Sequence, residues 1–420
     1  MTDEAGRLGT NVRWQGHARN SPGYRRILIA LFVGGVATFA QLYSFQAVLP
    51  RIARELRLDA GSAALTVSMA TIGLALGVIP WSVVADRIGR VQAMTFAICA
   101  ASAVGLAVPF APSFGLMLGG RVLEGLMVGG LPAIAITYLV EEIEARSTTR
   151  AVGVYVAGTT VGGLTGRLLA GPLAELVSWR TAVFAVAVLC AVASVLFLRL
   201  IPRSRRPTPA VQPHALRGLS AQLGRHFRSP RLLVMLAQAL LLMGGFVAMY
   251  NFVGFRLSAA PFELPPSVVS LVFLAYLAGT WSSVQAGVLA ARWGRLPVLI
   301  VCTAVMIIGV CATTLDALVA VLIGIVLTTL GFFGAHSIAS EWVGHEAIAD
   351  RAQASSLYNL FYYAGSSLFG WFGGVLYASS GWPATAGMIM FLAFAAGLMA
   401  LSALRGPGPA ELQQARRDRG

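Results

Sequence analysis

Ser82-Val83-Val84-Ala85-Asp86-Arg87-Ile88-Gly89-Arg90 is an island of charge between two long apolar runs, residues 61–84 and 91–110. It recurs as Gly287-Val288-Leu289-Ala290-Ala291-Arg292-Trp293-Gly294-Arg295, 205 residues later in a chain of 420. A charged turn placed twice, half a chain apart, predicts a duplicated architecture, and the rest of the sequence can be laid out around it.

The apolar runs on either side decide the class. The chain is 57% hydrophobic and 11% charged, with a mean hydropathy of +0.75. Soluble domains carry about 25% charged residues, so these values predict a membrane protein. A formal charge of +14 could point to nucleic acid, but the arginines fall between apolar runs and not on one soluble face. There is no lysine at all, and all 31 basic residues are arginine, which we read as genome bias. Cys99, Cys190, Cys302 and Cys311 lie inside apolar runs and read as inert thiols. No Cys/His spacing suggests a metal, and no cofactor is expected.

A run of about 20 apolar residues crosses a bilayer as a helix. Twelve such spans are expected, near residues 27–50, 61–84, 91–110, 114–140, 151–174, 180–200, 232–255, 266–290, 296–315, 317–340, 354–377 and 383–404. Arginine placement sets the orientation. With both ends cytoplasmic, 24 arginines face inward and five (Arg51, Arg54, Arg57, Arg180 and Arg256) face outward; Arg121 and Arg167 remain inside spans. This gives a basic tail at 1–26, a first six-helix bundle at 27–200, a linker at 201–231, a second bundle at 232–404 and a tail at 405–420. The linker holds Pro202, Pro207, Pro209 and Pro213. Leu216, Leu219, Leu223 and Phe227 follow at helical spacing, which suggests a short helix on the inner leaflet; a solvated loop is the other reading. The duplication extends beyond the turn, since Tyr155, Gly162, Gly171 and Trp179 each lie 203 residues before Tyr358, Gly365, Gly374 and Trp382.

Twelve spans, a central linker and the Asp86-Arg87-Ile88-Gly89-Arg90 turn together resemble the major facilitator superfamily over about residues 25–405. Ser82 and Val91 depart from the family turn, and Ala291 replaces its aspartate in the second copy. Leu42-Tyr43-Ser44-Phe45-Gln46, Gly162 through Leu169, and Tyr250 through Leu257 are similar to a YnfM-like branch of efflux proteins. The resemblance implies an all-α polytopic fold of two pseudo-symmetric six-helix bundles with a substrate site between them near the midplane. It also implies that Asp86 meets the start of span eleven, near residue 354. There the partial positive charge of a helix N-terminus stabilises an anion by about 0.3–1 kcal/mol. Asp86, Arg87, Gly89 and Arg90, with Arg292, Gly294 and Arg295 in the second copy, are therefore expected to form a latch that holds the inner side closed. A plain charged turn is the alternative.

Small residues recur every fourth position in span five (Gly158, Gly162, Gly166, Ala170) and span eight (Ala278, Ser282, Ala286, Ala290). Gly73 and Gly77 in span two, and Ser366, Gly370 and Gly374 in span eleven, repeat the theme. Such stripes let helices approach closely. In the family these spans face one another across the halves, so the stripes are expected to be gliding seams; static packing is the competing reading.

A charge at mid-bilayer costs on the order of 2.5–3.5 kcal/mol on insertion scales and is a functional candidate. Arg121 and Glu124 share a face of span four at i, i+3, and Arg167 lies at similar depth in span five, which suggests one compact network. Glu124 is the candidate for a coupling proton. Desolvation and the two arginines act on it in opposite senses, so conformation could decide its protonation. A permanent ion pair is the rival. Arg167 also stands where the family's antiporter motif has proline, which weakens the standard drug-antiporter reading. The family's pathway lining implies Gln41, Tyr43 and Gln46, Tyr250 and Asn251, and Tyr358, Asn359 and Tyr362 as substrate contacts. His336 reads as a packing residue.

The expected function is proton-coupled efflux of small organic compounds by a monomer in the bacterial inner membrane. Its partners would be a small-molecule substrate, protons and the lipid bilayer, with no nucleic acid. Uptake of an organic anion or sugar-like solute, or a non-transporting sensor, are the alternatives. No HExxH or GxxxxGK[ST] occurs in the sequence, so neither a zinc hydrolase nor an ATP-driven pump is indicated.

Overall fold

A computed structural model describes residues 16–204, 229–347 and 351–406. The linker helix expected around Leu216–Phe227 lies outside the described residues.

The apolar runs form helices that cross one bilayer thickness each. In chain order they are α1 (Pro22–Tyr43), α2 (Ala60–Ile88), α3 (Arg90–Ala107), α4 (Phe114–Val128, continued as Gly130–Glu142), α5 (Ala145–Leu176) and α6 (Trp179–Leu200). After the linker come α7 (Pro230–Leu257), α8 (Ala275–Trp293, entered through Pro266–Leu274), α9 (Arg295–Ala312) and α10 (Leu318–Glu346). One helix is assigned to Arg351–Ala403, but Ser380 and Gly381 leave helical geometry inside it. At about 1.5 Å per residue its 53 residues would far exceed a bilayer. The two arms instead fold together, Thr385 donating to the Gly373 carbonyl at 2.8 Å, and form α11 (residues 351–379) and α12 (residues 382–403).

Among the described residues, ten segments are long and apolar enough to span a membrane. The break at Gly381 makes two passes of one of them. Ala145–Leu176 has the length, 32 residues, but is too polar to register. Twelve passes place residues 22 and 403, where the first helix begins and the last ends, on one face, called here the terminal face; the opposite one is the far face. Side-chain caps start the helices where the sequence offers an oxygen: Ser21, Ser113, Ser178 and Ser229 each accept a backbone N–H. Asp59 caps α2, and the Ser62 hydroxyl and backbone N–H that bind it hold its carboxyl below the usual carboxylate range. Around the outside, Trp281, Val284, Phe391 and Phe394 are more than half exposed, an apolar surface that only lipid would cover without cost.

The two halves repeat each other in geometry. Gly89 and Gly294 turn the chain with the same positive φ, 97° and 84°, a conformation that glycine adopts without Cβ strain. Arg90 pairs with Glu141 and Arg295 with Glu341, at 3.2 and 3.3 Å. Gly162 lies against the Val36 carbonyl of α1, as Gly365 lies against the Leu240 carbonyl of α7. Gly171 meets Ser270 of the other half, and Gly374 meets Gly61 of the other half.

The small-residue stripes need correction. Gly158, Gly162 and Gly166 lie on the backbone of Phe32, Val36 and Ala40 in α1, and Gly73 and Gly77 lie on Val122 and Leu126 in α4. Ser282 of α8 donates to Leu330 of α10. These stripes knit helices within a half and are not sliding surfaces between halves. Gly370 and Gly374 of the span-eleven stripe do lie at the seam between halves. Gly61, Ser68 and Thr71 of α2 face Gly374, Gly370 and Ser367 of α11, with the Thr71 and Ser367 hydroxyls 2.7 Å apart.

Candidate functional site

α1 stops being α-helical at Tyr43 and tightens into a 3-10 turn over Ser44–Val48. Such a change leaves carbonyls without their usual partners. Arg121 supplies donors to them. Its guanidinium donates to the Leu42 carbonyl at 2.6 Å, to the Thr66 carbonyl at 2.8 Å and to Glu124 at 2.6 Å, over the Phe45 ring. Arg121 and Glu124 are both buried. Glu124 sits beside Gln41 and Gly105, and Gln41 donates to the Ala101 carbonyl of α3 at 2.6 Å. The pair thus lies inside the first bundle, and Gln41 is turned toward α3 and away from the seam.

Arg167 is not part of that network. It is 3% exposed and donates to the Gln46 side chain at 2.7 Å, the Gly163 carbonyl at 2.8 Å and the Tyr276 hydroxyl at 3.3 Å. Its guanidinium packs 4.2 Å from the Tyr43 ring centre, 4.8 Å from Tyr276 and 5.0 Å from Phe273. The expected single cluster of two arginines and one carboxylate is therefore two sites, one on each side of the α1 break. The 3-10 turn redirects Gln46, and that separates them.

Gln46 also donates to Asn251 at 2.7 Å. These residues are 205 apart, the interval of the duplicated turn, so equivalent positions of the two halves meet. Asn251 continues to the Gly370 carbonyl at 3.3 Å. A polar chain, Arg167–Gln46–Asn251–Gly370, thus crosses from one bundle to the other. Between it and the far face, Gly171 and Ser270 close the contact between α5 and α8, and Ser267 donates to Glu175 at 3.1 Å. In a low-dielectric seam such neutral and charge-assisted bonds are worth more than in water.

Beneath this chain, toward the terminal face, lies an aromatic cluster. Phe246 stacks on Phe332 at 3.9 Å, Tyr250 lies 4.9 Å from Tyr276, and His336 lies 4.9 Å from Tyr362. Tyr362 lies 5.2 Å from Tyr363, and His336 lies 5.6 Å from Tyr358. With Tyr43, Tyr250 and Tyr276, six of the ten tyrosines gather here from both halves. Tyr43, Tyr250, Tyr358 and Tyr362 are brought together as the pathway expectation has it. Asn359 is exposed and lines a narrow cleft between α11 and Ala75, Val78 and Ile79 of α2. His336, read from sequence as packing, accepts or donates at 2.9 Å to Tyr358 within the cluster.

At the terminal face Asp86 bonds Arg90, and Arg90 reaches Glu141, all within the first half. Among the described residues Asp86 has no bond to the second half, and Arg87 and Arg292 are exposed. Glu141 and Glu341 escaped the sequence reading. Their signal was a carboxylate at the same end of the fourth span in each half.

The family model described as Major Facilitator Superfamily matches residues 31–265 and 255–419. The chain is 37% identical to the inner membrane transport protein YnfM of Escherichia coli K12, over 89% of each chain. It is 36% identical to the uncharacterized MFS-type transporter YybF of Bacillus subtilis strain 168, over 89% of this chain and 92% of that one. Its fold is similar to an inward-facing, occupied bacterial homolog of the human lysosomal transporter Spinster. That likeness has a TM-score of 0.74 at 16% identity, over 92% of this chain and 96% of that one. The inward-open xylose transporter XylE of E. coli gives 0.71 at 15%, over 93% and 99%.

Proposed function

Because the chain belongs to the major facilitator superfamily, whose members are secondary transporters, we propose that it exports small organic compounds by alternating access, coupled to protons entering the cell. The terminal face is cytoplasmic in this reading. The observation that supports it is the one-sided seam. α5 touches α8 through Gly171 and Ser270 near the far end, and α1 touches α7 through Gln46 and Asn251. Separating these contacts while the halves close at the other end exposes the tyrosine cluster to the opposite side.

Asp86, Arg87, Gly89 and Arg90, with Arg292, Gly294 and Arg295, form the closing contact of that other state. With the terminal side apart, Asp86 rests on Arg90. Glu124 carries the coupling proton. A proton there removes the one carboxylate bound to Arg121 among the described residues, and Arg121 holds the α1 break from which Gln46 reaches across the seam. Proton occupancy and the far-face contact are thereby mechanically joined.

Proteoliposomes with an imposed pH gradient and a mixed substrate panel test this. Wild-type protein drives uphill transport and catalyses counterflow, whereas Glu124→Gln keeps counterflow and loses the uphill component. Undiminished gradient-driven transport by Glu124→Gln would remove the coupling role. Absence of counterflow from the wild type would favour a sensor.

A further inference from the structure

The arginine of α5 has no counterpart in α11. The interval of 203 residues that aligns Gly162 with Gly365 and Gly171 with Gly374 sets Arg167 against Gly370. A charge was thus placed in one half only, at the top of the aromatic cluster. Its position is nine residues from the end of α5 at Leu176, about 13 Å below the far end of the helix.

An uncompensated guanidinium in that position is costly, and its present partners compensate it only in part. All three of its hydrogen bonds go to neutral oxygens. A guanidinium has five N–H donors, so two are left over. The three rings beneath it offer cation–π attraction but no negative charge. Glu175, on the same helix, is two turns away and engaged by Ser267. The under-compensated cation therefore faces rings from both bundles, Tyr43 of the first and Phe273 and Tyr276 of the second.

We infer that Arg167 is the anchor for the acidic group of an amphipathic organic anion, whose apolar body lies on the Tyr276, Phe246 and Phe332 rings. This rests on the transport reading above and narrows its substrate to one charge class. A carboxylate or sulfonate would take the two spare N–H groups as charge-assisted bonds. An organic cation would meet like charge with no carboxylate among the groups around Arg167, and a neutral sugar would leave the guanidinium without a counter-charge.

The test is ligand-dependent thermostability of the purified protein in detergent, read by size exclusion. The probes share skeletons: benzoate, 2-naphthoate and decanoate against the matching alcohols and primary amines. The expected result is stabilisation by at least one acid and not by its alcohol or amine. Arg167→Gln should weaken the apparent affinity at least about tenfold, the loss of one charge-assisted anchor, and Arg167→Lys should keep the preference for acids. No stabilisation by any acid, equal stabilisation by acid and alcohol, or full retention of the acid preference in Arg167→Gln would each overturn the assignment. The acid-to-alcohol contrast in wild-type protein stands even if a variant folds poorly. Because the assay reads binding alone, its failure leaves the counterflow test of transport untouched.

Discussion

Replacing Gly374 with leucine should force the far face open. A Cβ on Gly374 would lie 2.3 Å from the Gly61 Cα and 2.7 Å from its nitrogen. Both are helix backbone and cannot rotate away as a long side chain would. Restoring ordinary contact needs a separation of about 1 Å for the first carbon alone, and more for the rest of the leucine. Overpacking of this kind costs about 1–3 kcal/mol. The cost applies only while α2 and α11 are in contact, so the ratio of far-closed to far-open protein should fall by roughly 5- to 150-fold. The assay is electron paramagnetic distance measurement between spin labels at Arg54→Cys and Ser258→Cys, in protein whose four native cysteines are replaced. Both positions line a cleft of about 560 Å³ between the halves at the far face. The label distance should lengthen by several ångströms in Gly374→Leu. It should not move in Gly387→Leu, because a Cβ at Gly387 meets nothing within 4 Å. An unchanged distribution in monodisperse Gly374→Leu protein would refute the assignment of this contact as the gate.

Gly162→Leu is a contrasting case: its Cβ would lie 2.4 Å from the Val36 carbonyl inside the first bundle, so thermal stability should fall by about 1–3 kcal/mol while the far-face label distance stays constant. Asp59→Ala removes the cap of α2 and should cost about 1 kcal/mol at neutral pH. The Asp59 carboxyl is held below its unfolded value by Ser62, so its contribution is complete above the ordinary carboxylate pKa of about 3.9 and disappears as pH falls through the lower folded value. Thermal melts of wild type and variant should therefore differ at pH 7 and converge at strongly acid pH. A constant difference would exclude the charge as the cause.

The number of passes and the duplication could be read from the sequence because hydrophobic length and turn charges are local properties. The aligned glycines even held part of the gate, since Gly171 and Gly374 are places where α5 and α11 touch the opposite half. What one sequence could not show is the direction in which a helix face points. Gly158, Gly162 and Gly166 have the spacing of a seam, but the same spacing serves α1 in the same bundle. The grouping of Arg121, Glu124 and Arg167 failed for a related reason. Depth along a helix is visible in residue numbers, whereas the 3-10 turn at Ser44–Val48 that parts the two arginines depends on tertiary contacts.

The bond between Gln46 and Asn251 has an evolutionary consequence. Where a repeated segment touches its own copy, identical residues would have to satisfy each other. Two unlike amides, one of them also serving Arg167, free the chain from that demand. Once such a difference is fixed, the repeats are committed to separate duties: one carries the cation, and the other supplies, through Gly370, a carbonyl for Asn251. Swapping the two segments in an engineered chimera would then rebuild the scaffold with its charge on the wrong wall.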